Sequence, residues 1–206
     1  MKLNSYKTIK FPTENELKEK KSVFIAKAFN ISSEKQAAEI LSSVRKEYSD
    51  AAHHCYAYQL KNGKSKTSDD GEPHGTAGIK ILNAINHFQL QDCLVIVVRY
   101  FGGIKLGVGP LGKAYYSAAI NVLSKAEIIL KQPCYRVEIS ISFTYLDKLL
   151  NYLHSNNLNL ISSSYEESVK LICLIPVDIF VKASDKILEL SDGRAQIEKP
   201  DEIIFS

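Results

Sequence analysis

Cys93-Leu94-Val95-Ile96-Val97-Val98-Arg99-Tyr100 is the stretch on which the fold class turns. Six consecutive apolar residues, mostly β-branched, show neither helical nor alternating periodicity. That pattern reads as a strand covered on both faces, and such a strand needs layers above and below. Helical patterns on either side in sequence can supply them. Ser33 and Gln36 fit a capping box ahead of Ala37, Ile40, Leu41, Val44 and Tyr48. Thr76 to Phe88 repeats Ile79, Ile81, Leu82, Ile85 and Phe88 at helical spacing, and Pro110 opens a third helix that runs to about Ala126. Val23 to Ile31 alternates as a strand. His53 to Leu60 does the same, with His54, Tyr56, Tyr58 and Leu60 on one face. Lys61 to Gly75, polar and carrying Gly63, Gly71 and Pro73, reads as a loop throughout.

Beyond Lys131-Gln132-Pro133 the rhythm changes. Tyr135, Val137, Ile139, Ile141 and Phe143 alternate with polar residues as a strand with one wet face. A helix (145–154), two strands (158–165 and 168–176), a helix (177–190) and a last strand (195–204) complete the order βαββαβ, the ferredoxin-like arrangement. The fold class is therefore α+β in two domains, residues 1–131 and 132–206, with the proline segment as boundary.

The 206 residues, 45% hydrophobic and 24% charged, have the composition of an ordinary globular chain. No apolar run approaches the length needed to span a bilayer, and the polar opening Met1 to Lys10 is not a secretory signal. A cytoplasmic protein with no membrane partner is expected. Cys55, Cys93, Cys134 and Cys173 form no C-x-x-C pair, so buried thiols are expected, with no structural metal. The net charge of +3 does not announce nucleic acid by itself. Three basic groups lie within the first 113 residues: Lys18, Lys20 and Lys21; Lys61, Lys64 and Lys66; Arg99, Lys105 and Lys113. They would form a nucleic-acid footprint if they converged on one face.

Two loops could carry chemistry. Ser68-Asp69-Asp70-Gly71-Glu72-Pro73-His74-Gly75 gathers Asp69, Asp70, Glu72 and an imidazole. It can be read as a site for a metal, a phosphate-bound metal or a catalytic water. It can equally be read as an Asx-type turn whose carboxylates cap the following helix. Arg99 to Pro110, with Gly102, Gly103, Gly107 and Gly109, leaves backbone N–H groups unshielded at a helix start beside Arg99 and Lys105, a natural place for an anion. Its glycines can equally serve tight packing and positive φ.

Gly107 to Gly112 satisfies G-x-G-x-x-G and Gly107 to Lys113 satisfies G-x-x-x-x-G-K, yet neither pattern holds in context. Ala114 stands where a magnesium-ligating Ser or Thr is required, and six residues separate Tyr100 from Gly107. For the dinucleotide pattern no surrounding parallel βαβ series is present. His53 and His54 point to opposite strand faces and cannot share a metal. His54 remains a candidate for the rim of the Asp69–Asp70 loop.

Taken together, His53-His54-Cys55 with Tyr58, Ser68 to Pro73 with Gly75-Thr76-Ala77-Gly78, Val98 to Gly107, Leu111 and Lys113-Ala114-Tyr115 resemble the YigZ/IMPACT family. The match is strong from about Lys20 to Ala126. The chain departs from the family pattern at Val23, Pro110 and Gly112. The resemblance implies a bacterial two-domain member: an α/β domain like elongation factor G domain IV, then a ferredoxin-like domain like its domain V. It further implies a non-enzymatic protein that binds RNA or the ribosome and acts on translation. Arg99, Gly102, Gly103, Lys105, Gly107 and Lys113 are then the nucleic-acid or phosphate contacts, and no cofactor is expected. The alternative is a nucleotide- or phosphate-binding enzyme using the Asp69–Glu72 and Gly102–Gly109 loops, since small-molecule kinases share the first domain's superfamily. No general base or nucleophile stands out for it. A homodimer is left open.

Overall fold

The structure is a computed structural model and describes residues 4–199 and 202–206. The chain divides into two compact units, Tyr6–Leu130 and a second built on Lys131–Ser206.

In the first unit the elements are β1 (Tyr6–Ile9), β2 (Thr13–Glu19), β3 (Ser22–Asn30), α1 (Glu34–Glu47), β4 (His53–Gln59), β5 (Ser65–Ser68), α2 (Gly78–His87), β6 (Cys93–Tyr100), α3 (Val108–Lys125) and β7 (Ile128–Lys131). β1 and β7 form a small separate sheet. The main sheet runs β2-β3-β6-β4-β5 with every neighbouring pair antiparallel. β6 is its centre, and Cys93 to Arg99 are all buried. Val95 and Val97 face α2 and α3 together with Phe24, Ala26, Ala28 and Ala57. Leu94, Ile96 and Val98 face α1 through Ala37 and Val44. Continuous apolarity is most familiar from parallel sheets; here the sheet is antiparallel and the cause is helical cover on both faces. Alanines at 26, 28 and 57, with Ala114, Ala118 and Ala119, allow α3 to lie close to the strands.

Local signals account for the helix ends. Ser33 caps α1, accepting from the Gln36 N–H, while Gln36 reaches back to the N–H of Ser32. Pro110 falls just before the first i→i−4 bond of α3, from the Leu111 N–H to Gly107 O, so its missing donor costs nothing. One expectation needs correction. Lys61 to Gly75 is not loop throughout, because Ser65–Ser68 pairs with Tyr56–Gln59 as an edge strand. With no buried side chain, that strand needs no apolar alternation. β2, the opposite edge, has Leu17 as its one apolar residue, half-buried against the core, and escaped notice because none of its side chains is fully buried.

The second unit comprises β8 (Pro133–Ile141), a 3₁₀ turn (Phe143–Tyr145), α4 (Leu146–Ser155), β9 (Asn159–Tyr165), β10 (Val169–Pro176), α5 (Phe180–Leu190), β11 (Gln196–Glu198) and β12 (Ile203–Phe205). Its sheet runs β11-β8-β10-β9, with β12 also on β8 and all pairs antiparallel. Both helices pack on the face that carries Val137, Ile139, Ile141, Leu171 and Cys173. The last strand forms in two pieces on successive parts of β8. Phe143, expected to continue the inward face, leaves the strand and stacks on Tyr165. Among the described residues no helix is long and apolar enough to cross a membrane.

Candidate functional site

The two loops singled out above meet at one end of the first sheet. β6 delivers Arg99 there, directly between Phe24 on β3 and His53 on β4. The Arg99 side chain is 6% exposed. Its Nη1 lies 2.6 Å from Glu72 Oε1 and its Nη2 donates to Ser22 Oγ at 3.3 Å. The rings of Phe24 and Phe101 stand 5.4 and 5.5 Å from the guanidinium carbon. Nε is enclosed without a hydrogen-bond partner. Glu72 Oε1 also accepts from Tyr115 Oη at 2.7 Å. Burial, then Cys55 and Glu72, push that phenol far above its ordinary range. Cys55 Sγ lies 3.0 Å from the carbonyl oxygen of Asp69 and 3.3 Å from Tyr115 Oη, and burial pushes its thiol up to about 12.

The acidic loop is spent on the protein itself. Asp69 accepts from the backbone N–H groups of Gly75, Ala77 and Gly78, capping the start of α2. Burial opposes its ionisation, yet those donors prevail and hold the carboxyl below the usual range. Asp70, at φ +41, pairs with Arg45 and accepts from the His54 N–H at 2.7 Å. Burial again opposes ionisation, and the His54 N–H and Arg45 outweigh it, so Asp70 too is depressed. Arg99 therefore pairs with Glu72 and with neither aspartate. His54 does meet the acidic loop: its N–H donates to Asp70 and its Nδ1 lies 3.8 Å from Asp70 Oδ2. It is buried on the α1 side with Nε2 3.0 Å from Tyr48 O. The histidine on the Glu72 face is its neighbour His53, whose Nδ1 donates to Asp70 O at 2.8 Å.

In the glycine loop the main requirement is close packing. Gly102 lies on the turn Lys20-Lys21 between β2 and β3, where a β-carbon would stand 2.1 Å from the Lys21 carbonyl carbon. Its N–H donates to Ser22 Oγ. Gly103 and Gly107 have φ of +80 and +86, with open space around them. Lys20 and Lys21 both have positive φ in a two-residue hairpin loop, the I′ class. Gly109, Lys113, Lys80 and Tyr116 line a cleft of about 400 Å³ between the first turns of α2 and α3. Lys113 and Lys20 line a second cleft on the other side of α3.

Two of the three basic groups therefore converge. Lys20 and Lys21 come to the glycine loop, alongside Lys105 and Lys113. Arg99 is withdrawn into its ion pair. The Lys61–Lys66 group lies at the other end of the sheet, since Gln59 pairs with Cys93 and His53 with Arg99. Six residues of strand put it roughly 20 Å away. There Lys64 pairs with Glu34 and Lys61 lies over the Tyr6 ring.

Comparison with known proteins places this arrangement. A profile described as the Impact N-terminal domain matches residues 20–123, the segment that holds both loops. The IMPACT family member YvyE of Bacillus subtilis (strain 168) is 32% identical over 199 residues, 96% of this chain and 92% of that protein. The chain belongs to the IMPACT family. YigZ, the IMPACT family member of Escherichia coli (strain K12), is 31% identical over 86% of this chain and 89% of its own. A crystal structure of a protein described as hypothetical superposes with a TM-score of 0.64 at 30% identity. It covers 96% of this chain and 98% of that one. Within this IMPACT chain, Ser22, Tyr115 and the Lys20-Lys21 turn are site components whose roles the sequence did not disclose. Tyr115 stood in a quoted motif, but nothing in a helical tyrosine says that it faces Glu72. Of the departures from the family pattern, Gly112 packs beside Lys80 and Thr76, and Val23 pairs with Tyr100 at the sheet's end.

Proposed function

We propose that this chain is a non-enzymatic, cytoplasmic RNA- or ribosome-binding protein that acts in the regulation of translation. The observation that carries the reading is the gathering of Lys20, Lys21, Lys105 and Lys113 around an exposed glycine loop. None of the four pairs with the acidic loop, whose three carboxylates are engaged by backbone N–H groups, arginines, Tyr115 and His54. An exposed loop with lysines that make no ion pair among the described residues fits a phosphate chain. On this reading the first unit is a domain like elongation factor G domain IV. The second, with βαββαβ order and strands in the order β11-β8-β10-β9, is a ferredoxin-like domain like domain V. Those likenesses support a translational role by analogy of fold.

The cleft beside Lys80 and Lys113 favours a second reading as a phosphate-binding enzyme. It lacks a carboxylate free to hold magnesium, since Asp69, Asp70 and Glu72 are all occupied. A rise in melting temperature with magnesium and a nucleoside triphosphate would favour that reading.

Ribosome co-sedimentation over a salt series, comparing wild type with Lys105→Glu/Lys113→Glu, tests the main proposal. Binding that weakens with salt and with charge reversal is expected. Absence of binding, or binding indifferent to both, would contradict it.

A further inference from the structure

We propose that Phe101 is a stacking platform for an unpaired base, so that the lysine surface prefers single-stranded to duplex RNA; this rests on the RNA-binding reading above. Phe101 directly follows the buried strand β6 and is 51% exposed. A lone exposed phenylalanine is ordinary. The difference here lies beneath it. The Arg99 guanidinium, fixed by Glu72 and Ser22, stands 5.5 Å from the ring centroid and 5.4 Å from that of Phe24. The ring is thus seated on a buried ion pair rather than carried on a free loop. Arg99 lies over the ring, and about half of the residue's surface meets water.

What surrounds the ring points to one occupant. The neighbouring residue Gly102 holds the Lys20-Lys21 turn by backbone contact, and Lys105 follows in the same loop. Glu19 is the acidic residue of that hairpin end and is half-buried. Ile104 and Val108 add exposed apolar surface. An aromatic ring among lysines takes bases on its face and phosphates on the ammonium groups. In duplex RNA the base faces are hidden in the stack and the major groove is too narrow for a side chain. Only the phosphate part of the surface can then engage, and Phe101 contributes nothing.

The chain contains no tryptophan, so Phe101→Trp introduces a single reporter at the platform. Fluorescence anisotropy with a short unstructured RNA and a blunt-ended RNA duplex would compare wild type, Phe101→Ala, Phe101→Trp and Lys105→Glu/Lys113→Glu. The expected result is a loss of roughly tenfold or more in affinity of Phe101→Ala for the unstructured RNA only. Phe101→Trp should keep that affinity, and its emission should be quenched on binding. The lysine variant should weaken both RNAs. If Phe101→Ala proves less stable, the quenching of Phe101→Trp by unstructured but not duplex RNA decides. Equal affinity of wild type and Phe101→Ala, equal losses on both RNAs, or an unquenched tryptophan overturns the inference while leaving the RNA-binding reading intact. Absence of RNA binding by the wild type overturns both.

Discussion

Gly102 and Lys21 touch backbone to backbone, so closely that no side chain at residue 102 could be accommodated without moving the β2–β3 turn. The contact joins two segments about 80 residues apart in sequence and brings the hairpin lysines to the glycine loop. It yields a contrast between Gly102 and Gly109, the latter in the first turn of α3. Gly102→Ala should destabilise by about 1–3 kcal/mol or more through overpacking. Gly109→Ala, with open space and an ordinary φ, should be neutral or stabilise by up to about 1 kcal/mol. Urea denaturation of the two variants measures the difference; equal effects would mean that the contact is not a constraint.

Arg99 is a structural anchor before it is anything else. Removing one partner of the Arg99–Glu72 pair leaves the other charge buried, which costs about 3–5 kcal/mol. Arg99→Ala should therefore unfold at much lower denaturant, whereas Lys105→Ala on the exposed loop should stay within about 0.5 kcal/mol of wild type. A wild-type midpoint for Arg99→Ala would show that the pair does not hold the domain.

The acidic loop should register in the pH dependence of stability. Asp69 and Asp70 are depressed in the folded chain, so as the pH falls the unfolded chain takes up protons first. Their stabilisation is complete above the ordinary carboxylate pKa of about 3.9 and is lost as the pH falls through the lower folded values. Asp69→Ala should cost about 1–2 kcal/mol at neutral pH through loss of the α2 cap. The gap to wild type should narrow near pH 3. Thermal melts of both proteins at the two pH values check the sign; a gap that widens on acidification would refute it.

How far the sequence could be read follows from where burial made a pattern. β6 was legible because burial on both faces left no polar residue before Arg99. The elements of the second unit were legible because one wet face imposes alternation on β8 and β10. β2 and β5 were not, since polar edge strands carry no such pattern. At the site, the identities of Asp69, Glu72 and Arg99 were visible but their partners were not. Pairing Arg99 with Glu72, and setting His53 beside that carboxylate while His54 meets Asp70, depend on long-range register that no local spacing encodes. Convergence of two basic groups and separation of the third likewise depend on strand order.

The Lys20-Lys21 turn places lysine at two positive-φ positions where Asn-Gly is favoured. Lys20→Asn/Lys21→Gly should stabilise the fold by up to about 1 kcal/mol and weaken RNA binding. A variant that gains stability and binds as well as wild type would remove this turn from the interface. Paired melting and binding measurements on one preparation provide the test.

The salt dependence of RNA affinity tests the central claim most directly. With Lys20, Lys21, Lys105 and Lys113 at the interface, log K should fall linearly with log salt concentration. The slope should shrink by roughly 0.7 for each of these lysines neutralised to alanine in turn on a single-stranded RNA. Neutralising Lys64, paired with Glu34 at the far end of the sheet, should leave it unchanged. A slope insensitive to the four lysines, or one that responds equally to Lys64, would contradict the account.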